Sequence, residues 1–139
     1  MDCPFCKINF EKTRILEEGK KSFVVFSNPR LMPGHILVIP KRHIGNISEL
    51  IEDERNEIFN FLVKYEKKIL EKISDGCDIR QNYRPFIKDG RLKVSHLHFH
   101  LQPRKFEDEL FEKCQVYETT LFMNLSDEES NEMTRKIVD

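Results

Sequence analysis

The spacing of apolar and polar positions changes several times along this chain, and each change marks an element. Ser22-Phe23-Val24-Val25-Phe26 and His35-Ile36-Leu37-Val38-Ile39 are short runs rich in β-branched and aromatic residues, separated by Pro29 and Pro33-Gly34. Runs of this kind bounded by turn residues predict two strands joined by a loop. From Ser48 to about Ser74 the spacing lengthens: Ile51, Ile58, Leu62, Tyr65, Ile69 and Ile73 recur three, four or seven residues apart among charges. One amphipathic helix follows, with a break near its start. Asp78 to Ile87, then Asp89-Gly90, then Leu92 to Leu101 predicts a hairpin about a tight turn. Beyond Pro103, residues Phe106, Leu110 and Phe111 predict a short helix, and Ser126-Asp127-Glu128-Glu129 is a capping box that opens a terminal one. Strands, one long helix and further strands make an α+β fold with an antiparallel sheet.

The strand ending this hairpin carries the densest chemistry. Ser95-His96-Leu97-His98-Phe99-His100-Leu101 places three of the five histidines at alternate positions. Strand alternation sends the three imidazoles to one face, roughly 6.7 Å apart in succession, and Leu97, Phe99 and Leu101 to the other. Imidazole serves near neutral pH as nucleophile, acid, base or metal ligand, so the row is a candidate site. Of the four cysteines, Cys77 and Cys114 stand alone and read as small hydrophobes or surface thiols. Cys3-Pro4-Phe5-Cys6 is a Cys-x-x-Cys pair that can clamp one face of a zinc ion, two nitrogens completing the tetrahedron. A glutaredoxin-type redox pair is the alternative. That motif follows a strand and opens a helix, and position 3 leaves no room for the strand.

Composition narrows the setting. With 139 residues, 39% of them hydrophobic and 11 of them Phe, the chain suffices for one domain with a single core. Lacking a long apolar run or a basic-and-apolar leader, it is expected in the cytoplasm, off the membrane. In that reducing compartment a Cys-x-x-Cys pair more often binds metal or does redox work than forms a structural disulfide. Lys and Arg total 23 against 24 Asp and Glu, so no global field favours nucleic acid, and any anion binding is local. Five glycines and no Gly-x-x-x-x-Gly-Lys segment exclude a P-loop nucleotidase.

His96-Leu97-His98-Phe99-His100, followed by Gln102-Pro103-Arg104, resembles the signature of the histidine triad (HIT) superfamily of nucleotidyl hydrolases and transferases. Met32-Pro33-Gly34-His35-Ile36-Leu37-Val38-Ile39-Pro40-Lys41-Arg42-His43 is similar to the family's second conserved segment. Cys3-Pro4-Phe5-Cys6-Lys7-Ile8 is similar to the amino-terminal zinc-and-nucleotide segment of its Hint-like branch. The resemblance implies a HIT domain over residues 1–104; residues 105–139 lie outside its motifs and are expected as a helical C-terminal extension packed on the same domain. It also implies a homodimer that takes a purine nucleotide, adenine above all. It nominates His43 and His96 to join Cys3 and Cys6 around a structural zinc.

The same resemblance nominates His98 as nucleophile: it would attack the α-phosphorus, expel the leaving group and form a nucleotidyl-histidine that water hydrolyses. A neutral ring nitrogen suits that task, being nucleophilic toward phosphorus and leaving a labile bond. His100 and His35 would donate hydrogen bonds to the phosphate oxygens. Gly34, before His35, either lets backbone approach the ligand or is a turn glycine. The third triad position is His, whereas the galactose-1-phosphate uridylyltransferase branch carries Gln, so the hydrolase branches match better. Phe5, Ile8 and Val25 match the nucleotide pocket by position. Ser27 stands where relatives carry an Asp or Asn on the ribose, with Asn28 beside it as a substitute. Where relatives carry an amide before the loop, then Gln and Ser or Thr before the triad, this chain has Lys88, Leu92 and Lys93. Lys88 or Lys93 would then offer positive charge to a more anionic substrate such as a polyphosphate; solvated turn lysines are the plain alternative. The expected activity is release of a nucleoside monophosphate from a phosphoramidate, a nucleotidyl anhydride or a dinucleoside polyphosphate. A non-catalytic nucleotide-binding module and a nucleotidyltransferase are the rivals.

Overall fold

The computed structural model describes residues 3–138 in two compact units that divide between Phe106 and Glu107. The first unit runs β1 (Ile15–Glu18), β2 (Ser22–Phe26), β3 (Ile36–Pro40), a 3-10 turn (Ile47–Glu49), α1 (Glu52–Lys72), β4 (Gly76–Arg80) and β5 (Phe99–Arg104). Its strands form one five-stranded antiparallel sheet in the order β1-β2-β3-β5-β4, the α+β architecture expected from the sequence. The second unit holds α2 (Glu109–Lys113), a 3-10 turn (Gln115–Thr120) and α3 (Asp127–Val138). Asp108 caps α2 by accepting the Phe111 N–H at 3.0 Å, and Ser126 Oγ accepts the Glu129 N–H at 3.1 Å at the start of α3. None of its helical residues is buried. Among the described residues no helix is long and apolar enough to cross a membrane.

Helix α1 buries Ile58, Phe61, Leu62, Tyr65 and Ile69, a stripe at intervals of three and four that faces the sheet. Each such side chain contributes about 1.5–3 kcal/mol on burial. The expected stripe thus shifts: Phe61 belongs to it, while Ile51 and Ile73, at the two caps, are exposed. The predicted break near the start is real, since the 3-10 turn precedes Glu52. Opposite the helix stripe lie Val24, Ile36, Val38, Leu97 and Leu101. The other face carries Val25, Leu37 and Ile39, covered by Phe5, Ile15 and Phe23. β3 is therefore buried on both faces, as its unbroken apolar run requires. The amino-terminal segment supplies the second cover.

The predicted hairpin is correct in pairing and wrong in extent. β4 and β5 are antiparallel neighbours, yet only Gly76–Arg80 and Phe99–Arg104 are strand. Residues 81–98 connect them, folded back locally where Gly90 and Lys93 exchange backbone bonds at 3.0 and 3.4 Å. His96 and His98 hence precede β5, and only His100 lies within it. Similarly His35 sits just before β3. β1 and the second 3-10 turn lie outside the sequence-based elements.

Candidate functional site: a four-residue cysteine-histidine cluster beside a histidine relay

The segment after β3 is anchored so that His43 meets His96. Arg42 donates to Glu54 on α1 through Nε at 3.1 Å and Nη2 at 2.8 Å. This guanidinium, ahead of the Ile51 N–H, holds the buried Glu54 carboxyl below its ordinary pKa. Glu49 accepts the N–H groups of Gly45 and Asn46 at 2.6 and 3.2 Å. Finally the Leu97 N–H donates to the Ile44 carbonyl at 2.8 Å. That bond joins the residue after His96 to the residue after His43, and so sets the two imidazoles side by side.

Cys3 and Cys6 come from one turn, the Cys6 N–H donating to the Cys3 carbonyl at 3.2 Å. The donor atoms of Cys3, Cys6, His43 and His96 all lie within 4.8 Å of one another. Cys3 Sγ is 3.4 Å and Cys6 Sγ 3.6 Å from His96 Nδ1, Cys6 Sγ is 3.2 Å from His43 Nδ1, and the two Nδ1 atoms are 3.1 Å apart. A tetrahedral zinc with its usual bond lengths demands S···N separations of about 3.5 Å and an N···N separation of about 3.3 Å. The donor set fits. His96 is also in the tautomer that ligation needs: its Nε2–H donates to the Pro40 carbonyl at 2.7 Å, which leaves Nδ1 bare.

The remaining imidazoles form a second cluster on the same side of the sheet. His98 Nδ1–H donates to the His96 carbonyl at 2.7 Å, so His98 Nε2 carries a free lone pair. The ring of Phe5 meets His98 edge-on at 5.2 Å between centroids and His96 at 5.8 Å. His100 lies against His98 at 4.8 Å, closer than strand rise alone would place them. The Leu31 N–H, which can only donate, points to His35 Nδ1 at 3.0 Å. His35 Nε2–H therefore donates to His100 Nδ1 at 2.8 Å, and the proton of His100 sits on Nε2. Burial first, and then His98, presses the pKa of His35 down to about 4. Burial, His98, His35 and Arg80 press that of His100 to about 3. Burial also lowers that of His98. The result is a neutral relay ending in an N–H donor beside an unprotonated nitrogen, a pairing suited to attack on an electrophile that develops negative charge.

The other expected site residues fall less evenly. Val25 is buried beneath Phe5, and Ile8 is half-buried. Ser27 spends its hydroxyl on the Pro29 carbonyl at 2.8 Å, within a turn that holds the cis Asn28-Pro29 bond, while Asn28 is exposed. Lys88 is exposed. Lys93 donates to Ser95 Oγ at 2.7 Å and pairs with Asp89 at 3.4 Å, so the loop itself engages its charge. The loop starts at Gln81, and the Gln81-Asn82 amides stand at its start, ahead of Lys88. Gly34 has φ +85°, and a Cβ there would meet Pro103 at 3.1 Å and Ile73 at 3.3 Å, so it is a turn glycine packed on protein. Gln102 stands in the triad segment without an assigned role. It is buried, and its Oε1 is the one buried side-chain polar atom without a partner among the described residues. Its parity with His98 and His100 was the available signal. A cleft of about 550 Å³ opens beside the cysteine-histidine cluster, lined by Cys3, Pro4, His43 and residues of the loop from Asp89 to Ser95.

The antiparallel sheet thus presents a bare imidazole nitrogen next to an imidazole donor, beside a cysteine-histidine cluster able to hold a metal. The family model described as HIT domain matches residues 9–107, and this chain belongs to the HIT family. It is 36% identical over 111 residues to an uncharacterised HIT-like protein of Methanocaldococcus jannaschii, covering 73% of this chain and 78% of that one. It is 31% identical over 115 residues to the adenosine 5'-monophosphoramidase of Schizosaccharomyces pombe, covering 78% of each. It is also 30% identical over 78 residues to the asymmetrical bis(5'-nucleosyl)-tetraphosphatase of the same yeast, covering 56% of this chain and 42% of that one. Among solved structures, a HIT family protein from Bacillus anthracis superposes with a TM-score of 0.72 at 23% identity, over 99% of this chain and 95% of that one. A zinc-bound histidine triad family protein from Mycobacterium smegmatis gives 0.64 at 25% identity, covering 79% and 80%.

Proposed function

We propose that this protein is a nucleotide hydrolase that releases a nucleoside monophosphate, of adenosine type, through a nucleotidyl-histidine on His98. The observation that carries this reading is the orientation of His98, whose Nδ1–H is tied to the His96 carbonyl while Nε2 stays bare next to the His100 donor. The names of the two yeast relatives support the substrate type. In the first step His98 Nε2 bonds to the α-phosphorus as the bond to the leaving group breaks, the electron pair departing with that group. In the second, water bonds to phosphorus and sheds a proton to solvent as the P–N bond breaks, the electron pair returning to His98 Nε2, so that His98 is neutral again. His100 Nε2–H, held by His35, donates to a non-bridging oxygen as its charge grows. Phe5 and Ile8 form the apolar side on which the nucleoside rests, with Val25 packed beneath Phe5.

Cys3, Cys6, His43 and His96 would hold a structural zinc, which supplies cross-linking of the amino-terminal turn to the sheet and no open ligand position for chemistry. The thiolates suit a reducing, cytoplasmic setting. The chain is proposed to work as a homodimer, for which exposed Phe59, Val63 and Leu70 on α1 offer an apolar stripe; a solution mass equal to the 16.6 kDa of one chain would reject it.

The test is release of adenosine monophosphate from adenosine 5'-phosphoramidate and from a diadenosine polyphosphate by the wild type and by His98→Ala, with acid-quenched samples weighed by mass spectrometry. Expected are turnover and a covalent nucleotidyl adduct in the wild type, and neither in the variant. Turnover that survives His98→Ala rejects the mechanism, and nucleotide binding without any turnover selects a binding module.

A further inference from the structure

On the outer strand β4, the register places Arg80 directly across from His100 and Asp78 across from Gln102. Directly opposed residues share a face, with Cβ atoms about 5 Å apart. Cys77 and the neighbouring Phe99 pack with the helix side, so Arg80 stands on the histidine side. Two of the basic residues around it are committed to partners. Arg104 is paired with Asp78 at 2.5 Å, and Lys93 with Asp89 and Ser95. Arg84, Lys88 and Arg91 are exposed in the loop. Arg80 is half-buried, and among the described residues its guanidinium makes no hydrogen bond or ion pair. A half-buried guanidinium facing a set of neutral imidazoles has one natural counterpart, a ligand oxyanion, which it binds through two parallel N–H donors.

We propose that Arg80 is the specificity-determining residue that binds the departing phosphate, so that the preferred substrates are nucleotidyl anhydrides whose leaving group is itself a phosphate. The inference rests on the hydrolase reading above and narrows its substrate class. As His98 Nε2 bonds to the α-phosphorus, the bond from that phosphorus to the bridging oxygen breaks. The electron pair remains on that oxygen, and the leaving phosphate gains a negative charge that a guanidinium stabilises. In a phosphoramidate the departing nitrogen must instead take up a proton, and a guanidinium offers it nothing. Charge at this site therefore separates the two substrate classes, where Lys88 and Lys93 were the sequence-based candidates.

The experiment compares kcat/KM of the wild type, Arg80→Ala and Arg80→Lys on a diadenosine polyphosphate and on adenosine 5'-phosphoramidate. It adds calorimetric affinities for adenosine mono- and diphosphate and the solution mass of each protein. Losing charge-assisted hydrogen bonds is expected to lower turnover of the polyphosphate about 30-fold in Arg80→Ala, and to shift the ratio between the two substrates at least about tenfold. Arg80→Lys keeps the charge without the fork and should fall between. Equal losses on both substrates, no loss on either, or a changed solution mass would overturn the assignment. If the wild type turns over neither substrate, the hydrolase reading fails, and the affinities decide alone: a selective loss for the diphosphate in Arg80→Ala upholds an anion site, and no selective loss rejects it.

Discussion

The His35–His100 relay makes stability depend on pH in a calculable way. Protonating His35 would place a second proton on Nδ1, against the Leu31 N–H at 3.0 Å, and protonating His100 would oppose its Nδ1 to the His35 Nε2–H at 2.8 Å. Burial and these collisions agree with pKa values of about 4 and about 3. In the unfolded chain both imidazoles titrate near 6.5, so below that pH the unfolded state binds more protons than the folded state and stability falls as pH falls. The loss grows from about pH 6.5 until the folded values are reached. At pH 5 each group has travelled about 1.5 units, about 2 kcal/mol, and the pair costs about 4 kcal/mol relative to pH 7.5. With an m-value of about 2 kcal/mol/M this is a drop of about 2 M in the urea midpoint, read by far-UV circular dichroism. The double variant His35→Asn, His100→Asn has nothing to titrate here and should lose about 4 kcal/mol less between the same two pH values. Depressed carboxylates such as Glu54 act in a lower window, beginning near pH 4.3, and do not blur the comparison. Equal losses in wild type and double variant would refute the tautomer chain derived from the Leu31 N–H.

Removing the metal at pH 7 with a chelator should lower the melting temperature by about 10 °C, and Cys3→Ser should start from the lower value and ignore the chelator. A wild-type protein free of zinc by elemental analysis yet unchanged in melting temperature would reject the structural zinc. Gly34→Ala should cost about 2 kcal/mol, since φ +85° disfavours any side chain and the new Cβ presses on Pro103. An unaltered melting temperature there would mean that the turn between β2 and β3 relaxes freely.

Much of this was legible in the chain. β2 lies where its β-branched run placed it, and the two compact motifs, Cys3-x-x-Cys6 and the alternating histidines, converge with His43 and His35 as the family resemblance implied. β1 escaped notice because four residues with a register shift between Ile15 and Glu17 show too little alternation. Ile51 and Ile73 fit the helical period but fall at the caps, where a side chain has no sheet beneath it. The turn about Asp89-Gly90 was well placed, for Arg80 and His100 pair at ten residues on either side of Gly90. Arg80 was thus available from the sequence to anyone extending that hairpin. Lys88 and Lys93 drew the assignment instead because they stand where relatives carry the polar loop residues. Asp89 and Ser95 absorb the second of these, a pairing set by the loop's fold and carried by no periodic pattern.

The sharpest disagreement, the late start of β5, has a functional reason. β5 lies between β3 and β4, so a residue inside it commits its carbonyl to one neighbouring strand or the other. Were His96 in that ladder, its carbonyl would be engaged there and the His98 imidazole would lose the acceptor that fixes its tautomer. Starting the strand at Phe99 frees the His96 carbonyl for His98 Nδ1–H, while parity still keeps His98 and His100 on one face. The irregular stretch is held in place by other means: the Leu97 N–H on Ile44, His96 Nε2–H on Pro40, and the cluster with Cys3, Cys6 and His43. His96 therefore serves both clusters, its side chain facing the thiols and its carbonyl aiming the proposed nucleophile. A regular strand would have satisfied the hydrophobic pattern and disarmed the site, which is why the pattern misreads this segment.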